Sequence, residues 1–447
     1  MADEKIIYVE FASKFPAEAL PMQSEPNDDL NVATGDDLNV AGIDFVEFNN
    51  YLRQRGVVRK EFSFGAETDK TSDRTRFVTL YLQPDAEVVS LAQELSKRDD
   101  VIHAIEARKL VPSAPPGGDP LSEPFVRPRL GGIVHANPQT QIDDNQWYLF
   151  RCRVDQAWAQ GVSGSGSIVA DIDWGFLTSH QEFENRIAFE LNTLNGGGTV
   201  NGGSAIDHGT AVLGIVGAGN NGLGMIGIAF NAELWLVQAG EDATGKLDPA
   251  PWWRALQEVM NKDGVNKRKV ILLEVQTEFH ESIDIIPAVK EVINEAISKG
   301  IVVCVPAGNG SRDAGLDVHL RPFPASGAIL VGATAYDDAD NPISGRSNYG
   351  MRVPIYAPGD ESHDLTCSSN GDDKYRSDFG GTSGAAPKVA GTIALMLEAN
   401  PGLCHYEIKD ILKQTGTSVT GDPTQVKGSF LNAGAAVAEA RRRAMIP

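Results

Sequence analysis

Apolar and polar positions alternate along FVTLYL (77–82) with the two-residue period of a strand. The period changes in DAEVVSLAQELSK (85–97). There Val88, Leu91, Ala92 and Leu95 fall on one helical face, with Asp85 as the N-cap. VIHAIEARKLV (101–111) is strand-like again, so 75–111 predicts a small strand–helix–strand unit. Residues 1–70 are acidic and poorly periodic. They carry a near-duplication, DDLNVA at 28–33 and again at 36–41, which reads as a slipped local repeat in a surface loop. PSAPPGGDPLSEPFVRPR (112–129) is rich in Pro and Gly and reads as an exposed linker.

From about residue 145 the pattern is different. Apolar runs at 167–173 (SIVADID), 233–239 (ELWLVQA), 269–275 (KVILLEV), 300–307 (GIVVCVPA) and 328–334 (AILVGAT) have helical segments between most of them. Near-continuous apolar strands alternating with helices imply a parallel sheet covered on both faces. The expected fold is therefore a three-layer α/β domain with a doubly wound parallel sheet, preceded by a smaller α+β domain. The boundaries read as 1–111 for the N-terminal region, 112–144 for the linker and 145–447 for the large domain. In such sheets the site forms at the C-terminal ends of the strands.

Composition narrows the functions. The chain has 447 residues and a net charge of −21. A polyanion repels phosphate backbones, which argues against nucleic acid as a partner and favours basic peptide segments. Four cysteines are widely spaced without a CxxC pair, which argues against zinc. Cys304, inside an apolar strand, reads as a small buried hydrophobe. The N-terminus MADEKIIYVEFASKF lacks the pattern of a secretory signal, and no apolar run reaches the ~18 residues of a membrane span. The expectation is a protein that is cytoplasmic as synthesised, with leaderless secretion left open.

Four motifs carry candidate chemistry. In FGGTSGAAPKVAGTIALMLEANP (379–401), Ser383 opens a helix whose N–H groups and dipole can serve a developing oxyanion. In DHGTAVLGIVGAG (207–219), His208 sits at a helix start, where a neutral imidazole can accept a proton from a nearby hydroxyl. In IVADIDWGF (168–176), Asp173 ends a strand. In VPAGNGS (305–311), Asn309 follows a strand and can donate a side-chain N–H. Each alone has a plain structural reading: a capped helix start, a packing histidine, a turn-forming aspartate, a Gly-Asn-Gly turn. Together they supply nucleophile, base, orienter and oxyanion donor, in the chain order Asp, His, Asn, Ser.

With these residues the sequence resembles the subtilase family of serine proteases from about 145 to 440. QWYLFRCRVDQAW (146–158), NNGLGMIGIA (220–229), FPASGAILVGAT (323–334), SNYG (347–350), APG (357–359) and SFLNAGAAV (429–437) are similar to family segments in the family's order. The resemblance implies a serine endopeptidase with Asp173, His208 and Ser383 as triad and Asn309 at the oxyanion. It also implies that Glu274, Val275, Gln276, Ala307 and Gly308 bind substrate. The 75–111 unit looks like the second half of a subtilase propeptide. That implies an autoinhibited zymogen, cut somewhere in 108–145, with its own N-terminal region as inhibitor. The chemistry requires no cofactor. The loop between His208 and Gly227 keeps the family's full metal-loop length. Calcium would take Glu182 and Asn221 as side-chain ligands, with the carbonyls of Gly219, Leu223 and Met225. A metal-free turn rich in Asn and Gly is the other reading.

Several positions depart from the family. Gly384 stands where methionine is usual, so mild peroxide is expected to leave activity intact. Lys388 stands where histidine is common, and Trp174 replaces a small hydroxyl residue and would narrow the cleft. Asp171 puts a second carboxylate on the face of Asp173. Glu274, Val275 and Gln276 replace Ser-Leu-Gly. Either Glu274 selects Lys or Arg beside the scissile bond, or it pairs internally or stays protonated near Asp171. Two rival functions remain open on sequence: a transpeptidase or macrocyclase acting on a precursor peptide, and a non-catalytic subtilase-like binding scaffold.

Overall fold

The computed structural model describes residues 5–15, 39–40, 43–64, 73–112, 146–241, 248–336, 340–359, 364–422 and 424–445. The duplicated DDLNVA segments and the linker beyond Pro112 lie outside the described residues, except for Asn39 and Val40. No helix among those described is long and apolar enough to cross a membrane. The chain forms two compact units, Met1–Arg108 with Asp284–Glu291, and Lys109–Ile283 with Val292–Pro447.

In the first unit four antiparallel strands lie in the order Val57–Phe62, Phe77–Leu82, Lys5–Phe11, Val101–Glu106. Lys5–Phe11 is central. The helix Val88–Leu95 buries Leu91, Ala92 and Leu95 against this sheet, as its spacing predicts. Its N-cap is Glu87 and makes no side-chain cap, so Asp85 stands outside the helix. The region 1–70, poorly periodic in sequence, supplies two of the four strands. Lys5–Phe11 is buried on both faces from Ile6 onward, so no polar alternation announces it.

The second unit holds an eight-stranded sheet. The order is Ser429–Phe430, Ile355–Pro358, Ile329–Thr334, Val302–Pro306, Arg268–Leu273, Ser167–Asp173, Glu233–Gln238, Ile187–Asn192, and every neighbouring pair is parallel. The five apolar runs read from sequence are all here. The three strands not anticipated lie at the margins, where they are short or half exposed. Val169, Leu236, Leu272 and Cys304 point to one face and join the core with the helices Ile206–Gly217 and Gly381–Ala399. Alternation along Ser167–Asp173 puts Asp171 and Asp173 on that same face. The stretch 101–111 is not one strand. Val101–Glu106 stays in the first sheet, while Leu110–Val111 pairs antiparallel with Gln276–Thr277. All four cysteines are unbridged, and only Cys404 is exposed.

Candidate active site

Asp173 is the last residue of the strand Ser167–Asp173, next to the centre of the sheet. Its Oδ1 accepts from the Trp174 N–H at 2.6 Å and lies 2.7 Å from His208 Nδ1. His208 stands in the first turn of Ile206–Gly217. The glycine after it is required by space. A Cβ on Gly209 would sit 2.4 Å from the Gly175 carbonyl, so only glycine lets this helix approach the end of the Asp173 strand. Phe379 closes the other side of the imidazole, edge to face at 5.4 Å.

Ser383 lies in the first turn of Gly381–Ala399, and its Oγ is 3.1 Å from His208 Nε2. N–H groups in a first turn have no acceptor within their helix, so the Ser383 N–H is one of the helix's outward donors. Asn309 follows Gly308, whose φ of 95° and 2.2 Å Cβ approach to the His280 carbonyl again demand glycine. Asn309 Oδ1 accepts from both the N–H and the hydroxyl of Thr382. With its oxygen so engaged, Nδ2 is the end that can donate to a substrate oxygen. The structure thus brings Asp173, His208, Ser383 and Asn309 to one end of the sheet.

The Gln276 side chain links two parts of this region. Its Oε1 accepts from the Asn309 N–H at 3.0 Å, and its Nε2 donates to the Pro112 carbonyl at 2.9 Å. The pairing of Leu110–Val111 continues at Lys109, whose carbonyl accepts from the Glu278 N–H at 2.8 Å. Leu110 is buried and lines a cavity of about 450 Å³ with Trp174, Trp252 and Gly240. Trp174, expected to narrow the cleft, is one wall of it, its ring 5.1 Å from that of Trp252.

Electrostatics at the site follow from burial. Burial pushes His208 down to about 3, helped by Arg376 and opposed by Asp207. Burial holds Asp173 well above the usual carboxylate range, opposed by the Trp174 N–H. Asp171 and Glu274 are raised for the same reason and by the neighbouring carboxyls. Glu274 is 0 % exposed, so it does not offer an open carboxylate to a substrate cation. Of the two readings of Glu274, the buried one near Asp171 describes this geometry.

Glu182 Oε1 accepts from the Met225 N–H at 3.0 Å and the Tyr375 hydroxyl at 2.6 Å. Asn221 Oδ1 accepts from the Leu223 N–H at 2.9 Å. The Tyr375 ring lies where a Cβ on Gly224 would fall, 1.8 Å from its Cζ. Among the described residues no group of three or more His, Cys, Asp or Glu could hold a metal ion. These hydrogen bonds hold Glu182 Oε1 and Asn221 Oδ1 beside the 219–225 loop, where the calcium ligands are expected.

The comparisons agree with the geometry. Residues 164–432 match the subtilase family. The chain belongs to that family. An alkaline elastase of Bacillus sp. (strain YaB) is 31% identical over 318 residues, covering 69% of this chain and 74% of the elastase. An alkaline protease of Alkalihalobacillus alcalophilus is 28% identical over 364 residues, covering 79% of this chain and 86% of that protein. Among solved structures, a protease from Pseudoalteromonas arctica superposes with a TM-score of 0.57 at 25% identity, covering 68% of this chain and 99% of its own. Fervidolysin from Fervidobacterium pennivorans shares the fold over 98% of this chain and 61% of its own, with a TM-score of 0.62 and 19% identity. The subtilase described here is a subtilisin-like serine protease, and its substrates are peptides or proteins.

This subtilase also has supports that the motifs did not disclose. Lys388 is 0 % exposed and donates to Asp364 at 2.7 Å and to the Gly384 carbonyl at 2.7 Å. It ties the serine helix to the loop at 364. Arg376 pairs with Asp207, next to His208, and with Asp378. Lys388 and Asp207 both lie inside the motifs; their ion-pair partners Asp364 and Arg376 do not.

Proposed function

We propose that Asp173, His208 and Ser383 form the catalytic triad of an endopeptidase that is made as an autoinhibited zymogen. The observation that carries the triad is the continuous contact from Asp173 Oδ1 through the imidazole to Ser383 Oγ, at 2.7 and 3.1 Å. Ser383 Oγ attacks the substrate carbonyl while His208 Nε2 takes its proton. His208 then returns that proton to the leaving amine, and water releases the acyl group from Ser383. Asp173 fixes the imidazole tautomer with Nδ1–H towards the carboxylate. Asn309 Nδ2 and the Ser383 N–H receive the oxyanion.

Autoinhibition is supported by Lys109–Pro112. This segment pairs with Gln276 and Thr277 as a substrate strand would, and Gln276 holds the Pro112 carbonyl. A chain that lays its own segment along the substrate strand blocks the site until that segment leaves. The scissile region expected in 108–145 continues beyond the described residues after Pro112.

The test is the intact mass of wild type and Ser383→Ala after exposure to a fluorophosphonate probe. One adduct on wild type, absent from Ser383→Ala, is expected. A shortened wild-type chain beside a full-length Ser383→Ala chain would establish self-processing. A wild type that stays unlabelled after removal of residues 1–112 would overturn the enzymatic assignment of this triad.

A further inference from the structure

Three carboxyl side chains meet beneath the triad, and the mechanism above uses one of them. Asp171 and Asp173 are two positions apart on one strand, and Leu272 and Leu273 pair with Asp171 and Ile172. The next residue of that neighbouring strand is Glu274, whose N–H donates to the Ile172 carbonyl at 3.0 Å. Continuing the register sets Glu274 beside Asp173, on the shared face. Asp171, Asp173 and Glu274 are 1 %, 0 % and 0 % exposed.

The hydrogen bonds around them are incomplete in a specific way. Asp173 Oδ1 has two donors, but its Oδ2 has none. Among the described residues neither oxygen of Asp171 has a hydrogen-bond donor, and the group that faces Glu274 is the Ser383 hydroxyl, which opposes the upward push of burial on that carboxyl. A buried acceptor without a donor is costly, and an ionised one far more so. Among the described residues the surrounding elements bring no cation against these carboxyls. Cys304 stands on the adjacent strand Val302–Pro306, and Gln238, across from Asp173, gives its amide to the carbonyls of Trp174, Gly202 and Gly240. His208 and Ser383 come from the two helices, Arg376 is paired with Asp207 and Asp378, and Lys388 with Asp364. Three like charges in such a place cannot coexist, so protons remain on some of them. A protonated carboxyl is the donor that this site otherwise lacks.

We propose that Asp171 and Glu274 are positioning residues, held as neutral carboxylic acids, that supply a hydrogen bond to the second oxygen of Asp173. The triad carboxylate is thereby fixed from both sides: Trp174 and His208 on Oδ1, a carboxylic acid on Oδ2. The arrangement sets an upper pH limit. When these acids ionise, the donor is lost and a second negative charge appears beside Asp173. This inference rests on the catalytic role of Asp173 proposed above.

The test combines pH profiles of kcat and KM with infrared difference spectra, for wild type, Asp171→Asn, Glu274→Gln and Asp171→Ala. Asn and Gln still donate a hydrogen bond but cannot ionise. The amide variants are expected to keep near-wild-type kcat at neutral pH and to lose the alkaline decline. Asp171→Ala should lose about tenfold or more in kcat with little change in KM, as for a missing hydrogen bond to a charged group. In the spectra, wild type at neutral pH should show a protonated-carboxyl band that shrinks in each amide variant. An alkaline limb that is the same in wild type and both amide variants would overturn the proposal, as would spectra without that band. If Asp171→Ala fails to fold, the amide profiles and spectra still decide. A band that is present in wild type and shrinks in the amide variants as expected, in an enzyme with no activity after removal of residues 1–112, would instead count against the triad assignment, which separates the two failures.

Discussion

Asn309 and Thr382 are joined twice: the Asn309 side-chain oxygen accepts the Thr382 N–H at 3.0 Å and the Thr382 hydroxyl at 3.1 Å. The residue before the nucleophile thus orients the amide expected to bind the oxyanion. Asn309→Ala should lower kcat by about 100–1,000-fold with little effect on KM, the cost of one such donor. Thr382→Val keeps the backbone bond and removes the hydroxyl, so its loss should be smaller, on the order of tenfold. Steady-state kinetics on a peptide substrate would check both. A Thr382→Val loss equal to that of Asn309→Ala would mean that the hydroxyl does more than orient.

Arg376 should set the acid limit of activity. His208 acts as a base only when neutral, so activity falls as pH drops through its value, which is pushed down to about 3 by burial and then by Arg376. Arg376→Gln removes a repelling cation and takes the ion-pair partner from Asp207, which keeps only its bonds from Ser368 and Ser369. Both changes raise His208, and the acid limb should move towards neutral pH. Relative activity at acid pH should fall on the order of tenfold. A pH profile of kcat/KM measures this; an unmoved acid limb would show that Arg376 does not act on His208.

The raised carboxyls also make a stability prediction with a definite sign. A carboxyl whose folded value lies above its unfolded value stabilises the fold fully below the unfolded value. That contribution is lost as pH rises through the folded one. For Asp171 the shift is upward, from burial and then from Asp173. Asp171→Asn should therefore be more stable than wild type at neutral pH. Its advantage should shrink by at most ~1.4 kcal/mol per pH unit on acidification and vanish below about pH 4. Urea unfolding at several pH values would reveal it. A difference independent of pH would show that Asp171 titrates alike in both states.

The loop at 219–225 yields a fourth prediction. Because Tyr375 and the Met225 N–H already hold Glu182 Oε1, a calcium chelator should leave the thermal midpoint unchanged. Tyr375→Phe should cost about 1–3 kcal/mol, from a buried carboxyl losing a donor. A midpoint that falls on chelation and recovers with calcium would instead assign Glu182 and Asn221 as ligands.

These predictions divide along what the sequence made legible. Asp173, His208, Asn309 and Ser383 stand beside glycines or small residues that close backbone approach requires. Gly209 against the Gly175 carbonyl is the clearest case, so local sequence carried the signal. The supports were hidden because their partners are remote. Tyr375 meets Glu182 across 193 positions, and nothing near either residue marks the pairing. Glu274 shows a middle case, since its departure from the family pattern was visible but its burial was a property of the whole sheet. The N-terminal strand Lys5–Phe11 is hidden for a related reason, being buried on both faces and identified only by its two neighbours.

The four unbridged cysteines also bear on how the protein can be handled. Cys152, Cys304 and Cys367 are buried, whereas Cys404 is exposed at the start of the helix His405–Thr415, where it forms a capping box with Glu407. A maleimide-bearing support or dye would thus find one thiol, beyond the C-terminal end of the 19-residue helix whose first turn holds the serine. Conjugation there would loosen a helix cap while leaving the nucleophile untouched, giving an oriented, single-point attachment without mutagenesis.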